Sequence, residues 1–302
     1  MNGGISALIP TRNDICLPLV ESLVESAWRA GLEEFEVVVV DDGSDMEEVK
    51  SANKAVGGLP GCRYVEIGRN VGRGAARNRL AGLARYGRLL FLDADNGICD
   101  KDFIGRYAAA VGEVVCGGVA VPDRLPGMEG NLRYAYERSV SNGRTAEARS
   151  KRPYCNFTTA NFMISRELFG KMPFDECLRS YGYEDVLMGK RLEDAGAVLS
   201  HIANPVVFTL FEPNGAFVSK TIQALDNLYA IRDVIGTHSK LLNYCRAMSR
   251  IGAARAAYSA LSLLEGRMQR NIEGGNPSVA VFQFYKLYRL LGLMLGRVQP
   301  IS

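Results

Sequence analysis

Along the first hundred residues, apolar and polar positions follow a repeating order: a short apolar run, a polar cluster, then an amphipathic stretch. Ile5 to Ile9 has strand length and stops at Pro10, and Thr11-Arg12-Asn13-Asp14 follows as a polar loop. Leu17 to Ala30 repeats Leu19, Leu23, Ala27 and Ala30 at about 3.6-residue spacing, which predicts a helix ended by Gly31. Phe35 to Val40 is β-branched, as suits a strand buried on both faces, and runs into Asp41-Asp42-Gly43-Ser44-Asp45. A helix from Met46 to Val56 and a third strand, Cys62 to Ile67, lead to the glycine-rich stretch Gly68 to Asn78, after which a helix runs to Tyr86. Arg88 to Leu92 is the fourth apolar run and ends in Asp93-Ala94-Asp95. Strands separated by helices predict a parallel sheet with right-handed crossovers. Each polar cluster then falls at a strand's carboxyl end, the rim where open α/β sheets bind ligands. The expected class is α/β, with a Rossmann-like, mostly parallel sheet flanked by helices.

The order changes after Asp95. Asp102 to Val111 reads as a helix, and Glu113 to Val121 as a strand closing at Pro122. A helix is expected around Met128 to Val140, and the Arg-rich stretch 143–152 reads as a mobile loop of the kind that forms lids or binding loops. Asn161 to Ser165 is a short strand, and Tyr183 to Ala195 a helix with Glu184-Asp185 in its first turn. From Ala216 onward the pattern is helical, broken near Gly236 and at Gly274-Gly275-Asn276-Pro277. These shifts divide the chain into a core at 1–215, with halves 1–97 and 98–215, and a helical C-terminal extension at 216–302.

Composition changes little in this picture. A formal charge of +3 does not argue for nucleic acid, and the basic residues are not interleaved with aromatics along one face. The seven cysteines include no Cys-x-x-Cys pair and are expected to be reduced core residues. The first residues lack a basic region followed by a long apolar one, and no apolar run reaches the ~18 residues of a spanning helix. A cytoplasmic location is expected.

Candidate chemistry lies in the polar clusters, each of which also has a purely structural reading. Asp93 and Asp95 suit Mg²⁺ or Mn²⁺, which take hard oxygen ligands and bind one or two carboxylates plus phosphates, although acids at strand ends usually just face water. The Gly68 to Asn78 stretch lacks the third glycine of a dinucleotide fingerprint and follows the third strand rather than the first. No P-loop is present, yet Arg73 and Arg77 turn a generic glycine loop toward an anionic ligand. Asp41-Asp42 could accept hydrogen bonds from a base or ribose, or simply face water. Glu184-Asp185 could be charge that favours a helix N-terminus, or a general base, since a carboxylate at its reference pKa is ionised at pH 7. His201 and His238 belong to no metal-spaced pair. The stripe Phe282, Tyr285, Leu287, Tyr288, Leu291 and Met294, with Lys286, Arg289 and Arg297, reads as a core-facing helix, with peripheral membrane contact as the alternative.

Taken in order, Ala7-Leu8-Ile9-Pro10-Thr11-Arg12-Asn13, Val39-Val40-Asp41-Asp42-Gly43-Ser44, Arg69-Asn70-x-Gly72-x-Gly74-Ala75-Ala76-Arg77-Asn78, Leu92-Asp93-Ala94-Asp95 and Gly182-Tyr183-Glu184-Asp185-Val186 resemble the family 2 glycosyltransferases over about residues 5–215. The resemblance implies a GT-A fold and transfer of a sugar from a nucleotide-diphosphate donor, UDP by family frequency, with inversion. It implies a divalent Mn²⁺ or Mg²⁺ ion and a glycan or lipid-linked glycan acceptor, with no nucleic-acid partner. Pro10, Thr11, Arg12 and Asp42 would border the nucleoside, and Asn70, Gly72 and Arg77 would line the nucleotide pocket. Asp93 would sit near the ribose or a metal-bound water, and Asp95 would ligate the metal. Asp185 would be the general base, supported by Glu184. Many relatives carry a histidine where Phe208 stands here, which weakens the case for a third protein ligand, and His201 is a poor substitute on strand spacing. Cytoplasmic location at the inner face of the membrane, through the C-terminal helices, is part of the expectation. A non-catalytic nucleotide-sugar-binding or scaffold subunit, or a sugar nucleotidyltransferase, remains as an alternative.

Overall fold

The computed structural model describes residues 3–178 and 181–301. The chain forms two compact units. The first comprises Met1–Ala120, Gly143–Arg179 and Arg191–Leu210, and the second Val121–Asn142, Ser180–Lys190 and Phe211–Ser302.

The first unit holds ten strands: β1 (Ile5–Thr11), β2 (Phe35–Asp41), β3 (Cys62–Glu66), β4 (Arg88–Leu92), β5 (Asn96–Ile98), β6 (Val114–Cys116), β7 (Val119–Ala120), β8 (Asn161–Ser165), β9 (Leu199–His201) and β10 (Val206–Phe208). Seven make one sheet in the order β3-β2-β1-β4-β8-β6-β9. Pairing is parallel through β3, β2, β1 and β4, as the strand–helix alternation predicts; β8 runs antiparallel to both β4 and β6, and β9 is parallel to β6. The central strands are buried along nearly their whole length, which is why they read as continuous apolar runs rather than alternating ones. Helix Leu17–Arg29 covers the sheet with Leu19, Val20, Leu23 and Ala27, and these join Ile9, Val39, Leu92 and Phe103 in one core. A smaller sheet, β5-β10-β7, stands beside the end of β4.

Two expectations are corrected here. The strand read as Glu113 to Val121 is broken at Gly117-Gly118 into β6 and β7, which belong to different sheets. A Cβ on Gly117 would lie 2.4 Å from the carbonyl oxygen of Asn204, so the chain turns where only glycine fits. The stretch 143–152 is not an open loop: it contains a 3₁₀ turn at Ser141–Arg144 and helix Ala146–Ser150. Arg149, only 4% exposed, donates to the carbonyls of Arg144, Cys116, Gly117 and Ile202 and so pins the segment to the sheet edge. All seven cysteines are free; Cys16, Cys62, Cys116 and Cys245 are core residues as expected, whereas Cys99 and Cys177 are exposed.

The second unit is helical, with helices Leu132–Val140, Asn214–Ala230, Lys240–Arg250, Ala254–Ser262, Glu265–Glu273 and Val279–Met294, and it holds the start of helix Glu184–Asp194. Its core gathers Leu132, Phe217, Val218, Met268, Ile272, Phe282, Tyr285 and Tyr288. The aromatic stripe of the last helix therefore faces inward. Among the described residues no helix is long and apolar enough to cross a membrane.

Candidate active site

In the first unit, the polar residues singled out in the sequence gather at the carboxyl ends of β1, β2 and β4 and in the loop after β3. The loops after β1 and β2 are interlocked. Asn13, in the left-handed region at φ 61°, donates its backbone N–H to Ser44 Oγ at 2.8 Å and its amide to Asp45 Oδ1 at 2.8 Å. Its own Oδ1 accepts from Asp45 N at 3.0 Å. Asparagine tolerates this backbone because its side chain bonds locally. Thr11 Oγ1 donates to the Asp14 carbonyl at 2.8 Å, while Arg12, exposed at the loop tip, reaches the Gly43 carbonyl at 3.4 Å. Pro10 stands half-buried at the end of β1.

Asp41 and Asp42 have divided roles. Asp41 is buried, accepting from Ser44 N at 2.7 Å and from the Tyr64 hydroxyl at 2.5 Å, so it shapes the turn. Asp42 accepts from Val71 N at 2.7 Å through one oxygen and from Gly72 N at 3.0 Å through the other. The carboxylate thus clamps the glycine loop. Burial nonetheless raises its pKa, with the two backbone N–H groups pulling the other way. Asn70 Oδ1 also accepts from Gly72 N, at 2.9 Å. Gly72 itself, at φ 97°, precedes helix Arg73–Leu83.

Arg77 and Asp93 form a side-chain pair at this rim. Arg77 is 1% exposed and donates through Nη2 to Asp93 Oδ1 at 2.5 Å. Its guanidinium carbon lies 5.4 Å from the Phe174 ring centre, and its Nε and Nη1 have no hydrogen-bond partner. Arg77 is thus paired with one member of the acidic pair, Asp93. Asp93 is tied to β8 by its N–H to the Ala160 carbonyl at 3.2 Å. Asp95 is positioned by β10: its carbonyl accepts from Thr209 N at 3.2 Å and Thr209 Oγ1 at 2.9 Å. Asn96, opposite Phe208 in the β5–β10 pairing, is buried with both side-chain polar atoms unpartnered.

Sequence reading missed Thr209 and Asn96, because a strand as short as β10 gives no periodic signal. It also missed Arg149, which is one arginine among several in a polar stretch. Phe208 packs its ring against the first unit's core. His201, on β9, is occupied at both nitrogens. Arg149 Nη1, always a donor, is 2.5 Å from Nδ1, so Nε2–H donates to the Pro153 carbonyl at 3.0 Å. Burial, aided by the Arg149 charge, lowers its pKa to about 4.

The residues fit a divalent cation. Asp93 and Asp95 offer hard oxygens, and no group of three His, Cys, Asp or Glu forms among the described residues. An ion that takes most of its shell from diphosphate oxygens and water needs no such group. Because Asp93 is shared with Arg77, Asp95 would be the principal protein ligand.

Glu184 and Asp185 belong to the second unit. They follow Gly182 (φ 101°) and Tyr183 (φ 68°), a tyrosine in the left-handed region. Asn227 fixes this strained turn by donating to the Gly182 carbonyl at 3.0 Å, and a Cβ on Gly182 would lie 2.5 Å from Ala224 Cβ. Asp185 Oδ1 accepts from Val186 N at 2.8 Å, while Glu184 is buried and its Oε1 takes no hydrogen bond.

A doubly wound parallel sheet extended by an antiparallel strand, with an Asp-x-Asp turn at the end of β4, defines a GT-A type α/β protein. The sequence pattern of Glycosyl transferase family 2 matches residues 6–172, more than half of the chain, and the chain belongs to that family. It is similar to the PGL/p-HBAD biosynthesis glycosyltransferases of Mycobacterium tuberculosis and Mycobacterium bovis, 36% identical over 110 residues, which is 36% of this chain. The chain spans only 41% of the length of these curated relatives. Among solved structures, mannosyltransferase PcManGT from Pyrobaculum calidifontis, in complex with GDP-Man and Mn²⁺, superposes with a TM-score of 0.58 at 17% identity, covering 98% of this chain and 87% of that one. TarS residues 1–349 from S. aureus, in complex with UDP, gives 0.51 at 18% identity, covering 97% and 92%. At such identities these two establish the fold alone.

Proposed function

We propose that this chain is an inverting glycosyltransferase that moves a sugar from a nucleotide-diphosphate donor, a UDP-sugar first, to a hydroxyl of a glycan or lipid-linked glycan. The observation that carries this reading is the rim after β1, β2 and β4. There Asp42 clamps the glycine loop that follows β3, and Arg77 pairs with Asp93, two residues from Asp95. Pro10, Thr11, Arg12, Asn70 and Gly72 would border the nucleoside and its phosphates. Arg12 brings an exposed cation to that border, and the Gly72 turn opens a helix whose first N–H groups favour anions. Asp95, with Asp93, would hold Mn²⁺ or Mg²⁺, which supplies Lewis-acid stabilisation of the leaving diphosphate.

Asp185 is assigned the general base that takes the acceptor's hydroxyl proton. Glu184, buried beside it in sequence, supports the turn that carries it. The assignment rests on the motif and on the left-handed backbone of Tyr183, since such strain in a non-glycine residue, ~1–3 kcal/mol, persists chiefly where function requires it. The core domain at 1–215 with a helical extension at 216–302 is kept as the domain reading.

Phe208 favours a second reading, a nucleotide-sugar-binding subunit without transfer, because a core-packed ring cannot ligate an ion. Asp185→Asn separates the two. Transfer and hydrolysis would be followed with a panel of UDP-, GDP-, TDP- and CDP-sugars, alongside donor binding. An enzyme loses turnover by at least about a hundredfold on losing its base, while donor affinity is kept. No transfer or hydrolysis by the wild-type chain across the panel would reject the enzymatic reading.

A further inference from the structure

Helix Lys240–Arg250 turns Leu242 and Cys245 fully into the second unit. Its opposite side carries Lys240, Tyr244, Ala247 and, just past the helix end, Ile251, all exposed. Successive spacings of four, three and four residues place these on one stripe. Tyr244 is 68% exposed and Ile251 78%. Scattered apolar residues at a surface are ordinary, but Tyr244 and Ile251 on one stripe with Lys240 and Ala247 make an exposed amphipathic face.

Charge indicates what covers it. From Lys240 to Arg270 there are six Lys or Arg and a single acid, Glu265, in a chain whose formal charge is only +3. Glu265 is partly buried and accepts from the Tyr288 hydroxyl at 2.9 Å. Arg246 is turned inward onto the carbonyls of Gly236 and Arg232. The remaining five bases, Lys240, Arg250, Arg255, Arg267 and Arg270, are exposed, as are Leu263 and Leu264 between them.

We propose that this basic and apolar surface docks the chain peripherally on an anionic lipid membrane. Lys and Arg at an anionic headgroup layer gain electrostatic attraction, and a tyrosine and an isoleucine on the same helix can enter the headgroup–acyl boundary. A second copy of this chain would set cations against cations. A nucleic acid would match the charge but leave the exposed aliphatics Ile251 and Leu263 without a role, since single strands bind by stacking on aromatic rings. The last helix, which the sequence alone offered for this contact, buries Phe282, Tyr285, Tyr288 and Leu291 and cannot serve. Absence of membrane binding would leave the transferase reading untouched.

The test is cosedimentation of the whole chain with phosphatidylcholine vesicles, with and without phosphatidylglycerol, at low and high salt. Binding is expected only with phosphatidylglycerol, released by salt. The double variant Tyr244→Ser/Ile251→Ser should weaken it about tenfold or more. Arg250→Glu/Arg255→Glu should weaken it further, each lost base counting about fivefold. All four positions are exposed, and unchanged melting temperatures would show that the variants fold. No pelleting with phosphatidylglycerol at low salt overturns the proposal, as does equal pelleting of wild type and both double variants. Tight RNA binding that is indifferent to Tyr244→Ser/Ile251→Ser, without vesicle binding, would make nucleic acid the partner. A dimer dispersed by that variant, again without vesicle binding, would make a second copy the occupant.

Discussion

Asp42 illustrates how one carboxylate can organise a loop. Its two oxygens accept from two successive N–H groups, Val71 and Gly72. An amide of the same size has one acceptor oxygen and would turn N–H against N–H. Asp42→Asn should therefore cost about 1–3 kcal/mol, read by urea denaturation, and should weaken nucleotide binding through the loosened loop. His201 makes a different prediction. Its folded pKa, about 4, lies below the ordinary 6.5, so between these values the unfolded chain binds more protons than the folded one. The stability it contributes is whole above pH 6.5 and is lost as pH falls toward 4. Melting temperature should decline over that window, and less steeply in His201→Gln, which cannot titrate; parallel profiles would contradict this. The acidic residues of the rim were legible in the sequence, because each stands directly after an apolar run that marks a buried strand. The partners they share were not, since Arg77 and Asp93 meet only once the helix after the glycine loop packs on the sheet.

At the scale of elements, loops that the sequence shows as separate motifs are built into one another. Gly43, at φ 73°, closes the turn after β2, and a Cβ there would lie 2.5 Å from both the Arg69 carbonyl carbon and Asn70 N. Gly43→Ala should destabilise by at least about 1–2 kcal/mol from the left-handed backbone alone, with the backbone clash adding to it. The accompanying loss of UDP affinity, measured by calorimetry, would exceed that of Gly57→Ala, where a Cβ meets open space. The alternation of strand and helix through β4 was readable because buried parallel strands are long apolar runs. Beyond it the signal fails for a physical reason. Strands of two or three residues, such as β7, β9 and β10, carry no period, and their place is fixed by neighbours distant in sequence. The ordering of 143–152 hangs on one buried arginine, whose target carbonyls at Cys116, Gly117 and Ile202 no local pattern announces.

For the whole molecule, the central prediction concerns ligand linkage. A nucleotide that binds only the folded chain at a hundred times its dissociation constant adds ~2.7 kcal/mol. Thermal stability with UDP and Mn²⁺ should rise, fall back on chelation, and fail to rise in Asp95→Ala. A shift that persists with chelator would mean the diphosphate is held without a cation, and would assign Asp95 no ligand role. GDP, TDP and CDP in the same assay identify the base. The rim belongs to the first compact unit, and Glu184-Asp185 to the second.

The sequence by itself determined the α/β class, the parallel pairing of the first four strands and the acidic and glycine clusters at the strand ends. These follow from short-range rules: period, apolar run length and the turn chemistry of glycine and aspartate. Tertiary structure alone decided that Asp42 clamps a loop, that Arg77 pairs with Asp93, that Thr209 steadies Asp95 and that Arg149 with His201 fastens the 143–157 segment. It also decided that the uncovered apolar stripe lies on helix Lys240–Arg250 rather than on the more aromatic last helix. Each of these depends on which surfaces meet when distant segments pack, and burial and charge pairing across such contacts leave no trace in local sequence.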